Sequence, residues 1–184
     1  MQNKLLTIFR SIITLVLFLL MSASTGYTQH SSRDKKIIDD SKTAKAAFIN
    51  TDGLMKSLFD NAYGYAIFPN VGKGGFGIGA ALGNGAVYEK GELIGMAKMT
   101  QLTLGFQGGG QAYRQVVFFE HKEDLDRFKE NLIEFAAQAS AVAADAGASA
   151  NVKYKDGVLI FTQTKGGLMY EASIGGQKFN YKGF

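Results

Sequence analysis

Residues 62–85, AYGYAIFPNVGKGGFGIGAALGNG, decide how this chain folds. Glycine is set among Ile, Val, Phe, Tyr and Leu, and it fills 14 of the 47 positions from Gly64 to Gly110. A residue without a β-carbon lets a strand bend sharply or another backbone come close, so this density predicts curved sheet and not helix. Residues 63–68 read as a strand ended by Pro69, the only proline, which has no N–H for a ladder. Gly83-Asn84-Gly85 reads as a tight hairpin between strands at 75–82 and 86–88, because glycine and asparagine accept positive φ. Further strands are predicted at 93–99, 102–107 and 113–119, with Lys90-Gly91 and Gly108-Gly109-Gly110 as the turns or bulges between them.

Outward from the glycine-rich stretch the period changes. Ile37, Ile38, Ala44, Ala47 and Phe48 fit a helix over 36–50, and Thr51 and Asp52 read as caps for a second helix over 53–61. Downstream, HKEDLDRFKEN at 121–131 predicts a helix: Leu125 and Phe128 share a face, and Glu123 and Asp124 lie in the first turn, where carboxylates complement the dipole. Residues 132–146 carry two periods. Leu132, Phe135, Ala139 and Val142 suit a helix, which alanine favours on propensity, whereas Ile133, Phe135, Ala137, Ala139 and Ala141 alternate as on a strand. Strands at 158–164 and 168–174, with Asp156-Gly157 and Lys165-Gly166-Gly167 as turns, and a last one at 177–181 complete the sheet. The fold expected is a single α+β domain: a strongly curved, mainly antiparallel, barrel-like sheet with a few packed helices.

The first residues read as a targeting segment. Lys4 and Arg10 precede the uncharged run SIITLVLFLLMSA at 11–23, and small residues follow it, so residues 1–28 are expected to be a signal peptide, 29–35 a polar tether and 36–184 the domain. Without residues 1–28 the balance is 18 Lys+Arg against 16 Asp+Glu, a net charge of +2, which argues against a nucleic-acid partner. There is no cysteine, so no disulfide supports the fold and no lipid can be attached through sulfur.

Chemistry-bearing motifs are sparse. Gly72-Lys73-Gly74-Gly75-Phe76-Gly77 has the spacing G-x-G-x-x-G, but hairpin sequence follows it where a phosphate cradle needs a helix N-terminus. Beyond residue 28 the only histidines are His30 and His121, and the carboxylates are scattered, so neither a catalytic constellation nor a metal site is expected, and no cofactor. The aromatic terminus Phe184 invites comparison with membrane barrels, but Phe179 and Tyr181 share one strand face while Phe184 falls on the other. Lys35, Lys36, Lys42 and Lys45 cluster in the first helix, with Asp34, Asp39 and Asp40 offsetting them; on these residues alone the cluster reads as a solvated face. Lys73 and Lys98 lie beside glycine or apolar residues of the sheet.

Four blocks then occur in order: AYGYAIFPNVGKGGFGIG at 62–79, GNG at 83–85, GFQGG at 105–109 and KGGLMYEASIGG at 165–176. In this arrangement the chain resembles the SYLF-domain family over residues 36–184. The chain has Gln111, Tyr113, Arg114 and Gln115 where members commonly carry an aspartate, and Gly167 is extra in the late block. The resemblance favours strand over helix at 132–146. It implies lipid or membrane-surface binding; with the expected signal peptide and without a catalytic constellation, the chain is expected to be a non-enzymatic protein exported to the periplasm or beyond and held peripherally on a membrane. Its partner would be an anionic lipid or membrane surface, with headgroups taken by Lys35, Lys36, Lys42, Lys45 and Lys73 and acyl chains met by Phe48. The actin binding of eukaryotic members does not transfer to an exported chain. The alternative is a structural or scaffolding envelope protein whose sheet edges pair with a partner protein.

Overall fold

Ser31 starts the first element of the fold: its hydroxyl accepts from the backbone N–H of Asp34 at 3.1 Å and caps helix α1, Ser32–Thr51. The structure, a computed structural model, describes residues 31–76, 78–104, 111–132, 134–135, 141–143, 153–164 and 176–184. The expected signal peptide and the strand expected at 168–174 lie outside the described residues. The polar tether expected at 29–35 is corrected at its C-terminal end: residues 32–35 are the first turn of α1, because Ser31 supplies the cap. Helix α2, Met55–Asn61, follows a corner at which the Asp52 carboxylate accepts from the Leu54 N–H at 3.0 Å.

The strands are β1 Gly64–Phe76, β2 Ile78–Glu89, β3 Glu92–Leu104, β4 Gln111–Phe119, β5 Glu134–Phe135, β6 Ala141–Ala143, β7 Val158–Thr164 and β8 Gln177–Gly183. They form one sheet in the order β5-β8-β3-β2-β1-β4-β7-β6, antiparallel throughout except for the parallel β6–β7 pair. The α+β class and the mainly antiparallel sheet thus hold. Among the described residues no ladder joins β5 to β6. The two periods read at 132–146 end in strand at both described pieces, β5 and β6; the rest of that segment lies outside the described residues.

Three strand boundaries differ from the sequence reading. Pro69 does not end β1; the strand continues to Phe76 through a bulge, with register shifts against β2 between Ile67 and Asn70 and against β4 between Phe68 and Val71. The extra residue absorbs the missing N–H and returns Val71 to the face that Ala66 and Phe68 occupy. Gly83-Asn84-Gly85 is not a hairpin but the middle of β2. A β-carbon on Gly85 would stand 2.4 Å from the Ile67 carbonyl oxygen and 2.7 Å from the Phe68 ring, so glycine is there for close approach and not for a turn. β1 ends at Phe76 and β2 begins at Ile78, so a strand and not a helix follows the G-x-G-x-x-G spacing, as expected. Likewise the strands read at 93–99 and 102–107 are one, β3, as far as Leu104, while Lys90 and Gly91 make the expected turn with φ of 50° and 85°.

Alternation sorts the side chains into two layers. Tyr65, Ile67, Val116, Phe118, Leu159 and Phe161 meet Ala44, Phe48, Met55 and Phe59 of α1 and α2 on what we call the outer face. Ala66, Phe68, Val117, Phe119, Ile160, Met99 and Phe179 point to the inner face, where Leu125 and Phe128 of helix α3, Lys122–Lys129, pack. Phe128 lies 4.9 Å from Phe119 and 5.3 Å from Phe179 between ring centroids. Helix α3 is entered through a capping box, in which Asp124 accepts from the His121 N–H at 3.0 Å. It is tied down when Lys129 donates to Glu89 at 2.7 Å and Tyr63 donates to the same carboxylate at 2.8 Å.

Candidate functional site

Each residue expected at the site can be placed. Lys35 is exposed on α1. Lys36 pairs with Asp40 and Lys42 with Asp39, both at 3.0 Å, so their charges are locally answered. Lys45 turns inward: its ammonium donates to the Tyr65 hydroxyl at 3.0 Å and stands 4.8 Å and 4.9 Å from the Phe59 and Tyr65 ring centroids. Burial lowers its pKa below the ordinary lysine value, against the raising pull of Asp60. Tyr88, stacked on Tyr65 at 4.9 Å, is pushed up to about 12 by the same burial. Phe48 is 0% exposed and belongs to the core beneath α1, where it cannot meet an acyl chain. Lys73 is 8% exposed, and its position two residues from Val71 in β1 puts it on the inner face, away from the helix lysines. The six residues are therefore not gathered into one site.

A different set converges. Helix α1 covers only part of the outer face, and between its first turn and the uncovered strands β2, β3 and β8 lies a groove enclosing about 460 Å³. Arg33, Lys98 and Lys182 line it, with Asn84, Asn180, Ile37, Leu82 and Met96; Asp34 is the only carboxylate among the lining residues described. The ladder registers build it. Asn84 faces Lys98 across β2–β3 and Lys98 faces Asn180 across β3–β8, a row of three polar side chains about 10 Å long. One pair further on, Met96 faces Lys182. Among the described residues, Arg33, Lys98 and Lys182 make no ion pair or side-chain hydrogen bond. Exposed apolar side chains lie on the same face: Leu82, 54% exposed, lines the groove, and Leu102, 73% exposed, stands four residues along β3 from Lys98 with the same parity.

Sequence reasoning weighed Lys98 without choosing it and passed over Arg33 and Lys182. The signal was available in QKFNYKG of β8, where Lys178, Asn180 and Lys182 alternate with buried Gln177 and Phe179. A polar stripe of period two says which face is wet, but not that Arg33, about 150 residues earlier, would stand beside it.

The inner face carries a second polar group. Gln115 donates to Gln177 at 3.0 Å, Gln177 donates to Gln101 at 3.1 Å and to Gln115 at 3.1 Å, and the Tyr113 hydroxyl lies 3.4 Å from Gln101. These glutamines are almost wholly buried and satisfy one another, so they read as structural. His121 stands at the head of α3, its ring nitrogen 3.5 Å from the Asp124 carboxylate that Arg127 also holds at 2.7 Å. No group of three or more metal-ligating side chains occurs among the described residues, and no described helix is long and apolar enough to cross a membrane.

Two comparisons bear on this arrangement. Residues 100–182, from the outer half of β3 through β8, match the Ysc84 family, described as Las17-binding protein actin regulator. The chain is also 33% identical over 138 residues to Beta cell expansion factor A of Aeromonas veronii, across 74% of this chain and 52% of that relative. It spans about half the length of that relative. With the four glycine-rich blocks in order and the match at residues 100–182, the chain carries a domain of the Ysc84 (SYLF) family.

Proposed function

We propose that this chain is a non-enzymatic, exported protein that binds anionic membrane surfaces of the cell envelope through the groove between α1 and the outer face of β2, β3 and β8. The observation that carries the reading is the unanswered charge of Arg33, Lys98 and Lys182 beside exposed Leu82, with exposed Leu102 on the same sheet face. Each such cation contributes about 1 kcal/mol near an anionic surface, and the leucines reach the interfacial apolar layer. Lys35 lies on the same helix and adds to the field, whereas Lys36 and Lys42 are already paired. Family membership supports binding over catalysis, and the capping role of His121 supports it too. Export is supported by Lys4 and Arg10 ahead of the apolar run at 11–23.

The same reading takes the sheet as curled toward a barrel. Four strand spacings of about 4.8 Å separate β4 from β8 in the strand order, a span of about 19 Å if flat, yet Gln115 and Gln177 hydrogen-bond directly. The sheet's two edge strands, β5 and β6, are joined by only five residues, 136–140, which extend to about 20 Å against about 34 Å for eight flat strands. A curled sheet turns its outer face convex, which presents Lys98 and Lys182 to a surface.

Flotation with liposomes tests the function. The chain is expected to rise with anionic vesicles, to stay down with neutral ones and to be released by salt; equal failure on both vesicle types removes the reading.

A further inference from the structure

Resting on the groove as the membrane-binding site, we propose that the bulge at Pro69 is the socket that sets where the N-terminal half of α1 lies, and that Asn70 is the positioning residue through which it holds Arg33 beside Lys98 and Lys182. The helix is anchored unevenly. Ala44 and Phe48, in its second half, belong to the apolar layer shared with α2 and the outer face, whereas upstream of Ser41 the only buried side chain is Ile38. Two polar contacts at the bulge hold the upstream half instead. The Asn70 amide donates to the Asp40 carboxylate at 3.1 Å, and the Ser41 hydroxyl donates to the Ile67 carbonyl at 3.4 Å, so neighbouring helix residues grip the two ends of one irregularity. By strict alternation from outer-face Ile67, Asn70 would point to the inner face; the extra residue of the bulge turns it to α1. Across the ladders Asn70 faces Asn84, which lines the groove and in turn faces Lys98, so the contact stands at the groove's wall. Arg33 lies seven residues before Asp40, two helical turns or about 10 Å along α1, and Ile37 between them lines the groove as well. Among the described residues Arg33 has no ion pair or side-chain hydrogen bond of its own, so its place follows from where Asp40 is fixed.

The chain has no cysteine, so spin labels at Ser32→Cys on α1 and Lys178→Cys on β8 report one distance across the groove. Asn70 is exposed, so Asn70→Asp, which sets a second carboxylate against Asp40, leaves the fold intact; circular dichroism checks that. The wild type is expected to give one narrow distance and Asn70→Asp a longer, broadened one. The exchanged pair Asp40→Asn with Asn70→Asp restores the hydrogen bond with donor and acceptor reversed, carries the wild-type net charge, and is expected to return the narrow distance. An unchanged distance in Asn70→Asp overturns the proposal. Flotation of the unlabelled full chain with phosphatidylcholine vesicles containing phosphatidylglycerol reads the consequence. Arg33→Gln is expected to weaken wild-type binding about fivefold, the share of one cation near an anionic surface, but to weaken Asn70→Asp by less than about twofold, because Arg33 there no longer stands over the groove. A full fivefold loss in both backgrounds means that Asn70→Asp acts only through the charge it adds, and overturns the positioning role. A wild type that floats with neither these vesicles nor neutral ones overturns the groove as a membrane site and the part of Asn70 in it, while the label distances separately report whether the bulge holds α1.

Discussion

At Gly85 the Ile67 carbonyl oxygen lies 2.4 Å from where a β-carbon would stand, and the Phe68 ring 2.7 Å, in strands held from both sides. Gly74, on the neighbouring strand, has nothing within 4 Å of the same point. Gly85→Ala is therefore expected to lower stability by about 3 kcal/mol, while Gly74→Ala stays within about 0.5 kcal/mol; urea denaturation followed by circular dichroism separates them. Equal effects would mean that close approach is not why glycine occupies Gly85. Lysines obey the same lesson, that a residue type does not name its role. Lys36, Lys45 and Lys73 look alike in sequence, yet one pairs with Asp40, one sits against two aromatic rings, and one is buried on the inner face. Lys36 meets its partner within its own helix, whereas only contacts from distant segments place Lys45 and Lys73.

Among the elements, α3 was the most legible, because its caps and its apolar pair Leu125 and Phe128 are local features. How it docks was not legible: Lys129 and Tyr63 share the Glu89 carboxylate, and the hydrogen bond from Lys129, more than that from Tyr63, holds the Glu89 pKa below the ordinary carboxylate value. A depressed carboxylate contributes its full stabilisation above its unfolded pKa and loses it as pH falls through the lowered folded value. Glu89→Gln removes that dependence, so the stability gap between wild type and variant, measured by thermal melts, is expected to be widest near neutrality and to close as pH falls through the lowered Glu89 pKa. A gap independent of pH would mean that the ion pair does not act. Helix α1 depends on packing instead. Phe48→Ala should cost about 3 to 5 kcal/mol, read from the urea midpoint, since a fully buried ring leaves a cavity under the helix. Strand boundaries were the weak point. Glycine and proline mark turns and bulges alike, and which of the two forms at Pro69 or Gly83 is settled by the neighbouring strands β2 and β4.

For the whole molecule, the proposed surface binding and the proposed curl of the sheet are tested separately. Lys98→Gln with Lys182→Gln is expected to weaken binding to anionic vesicles about tenfold or more, and Lys36→Gln with Lys42→Gln by less than about threefold, because the latter pair already faces aspartates. The reverse order in a flotation series would return the site to α1. Curvature has its own test: a double-mutant cycle on Gln115→Ala and Gln177→Ala should give a coupling of about 1 kcal/mol, and none is expected if the sheet is flat and the two lie about 19 Å apart. The sequence by itself determined the α+β class, the strand-rich glycine region, the helix start near His121 and the family resemblance, because period, capping and block order are local along the chain. The tertiary structure alone decided which glycines are close approaches, that Lys45 and Lys73 turn into the protein and that Arg33 stands beside Lys98 and Lys182, since strand register and helix docking bring together residues whose separation in sequence carries no trace of their meeting.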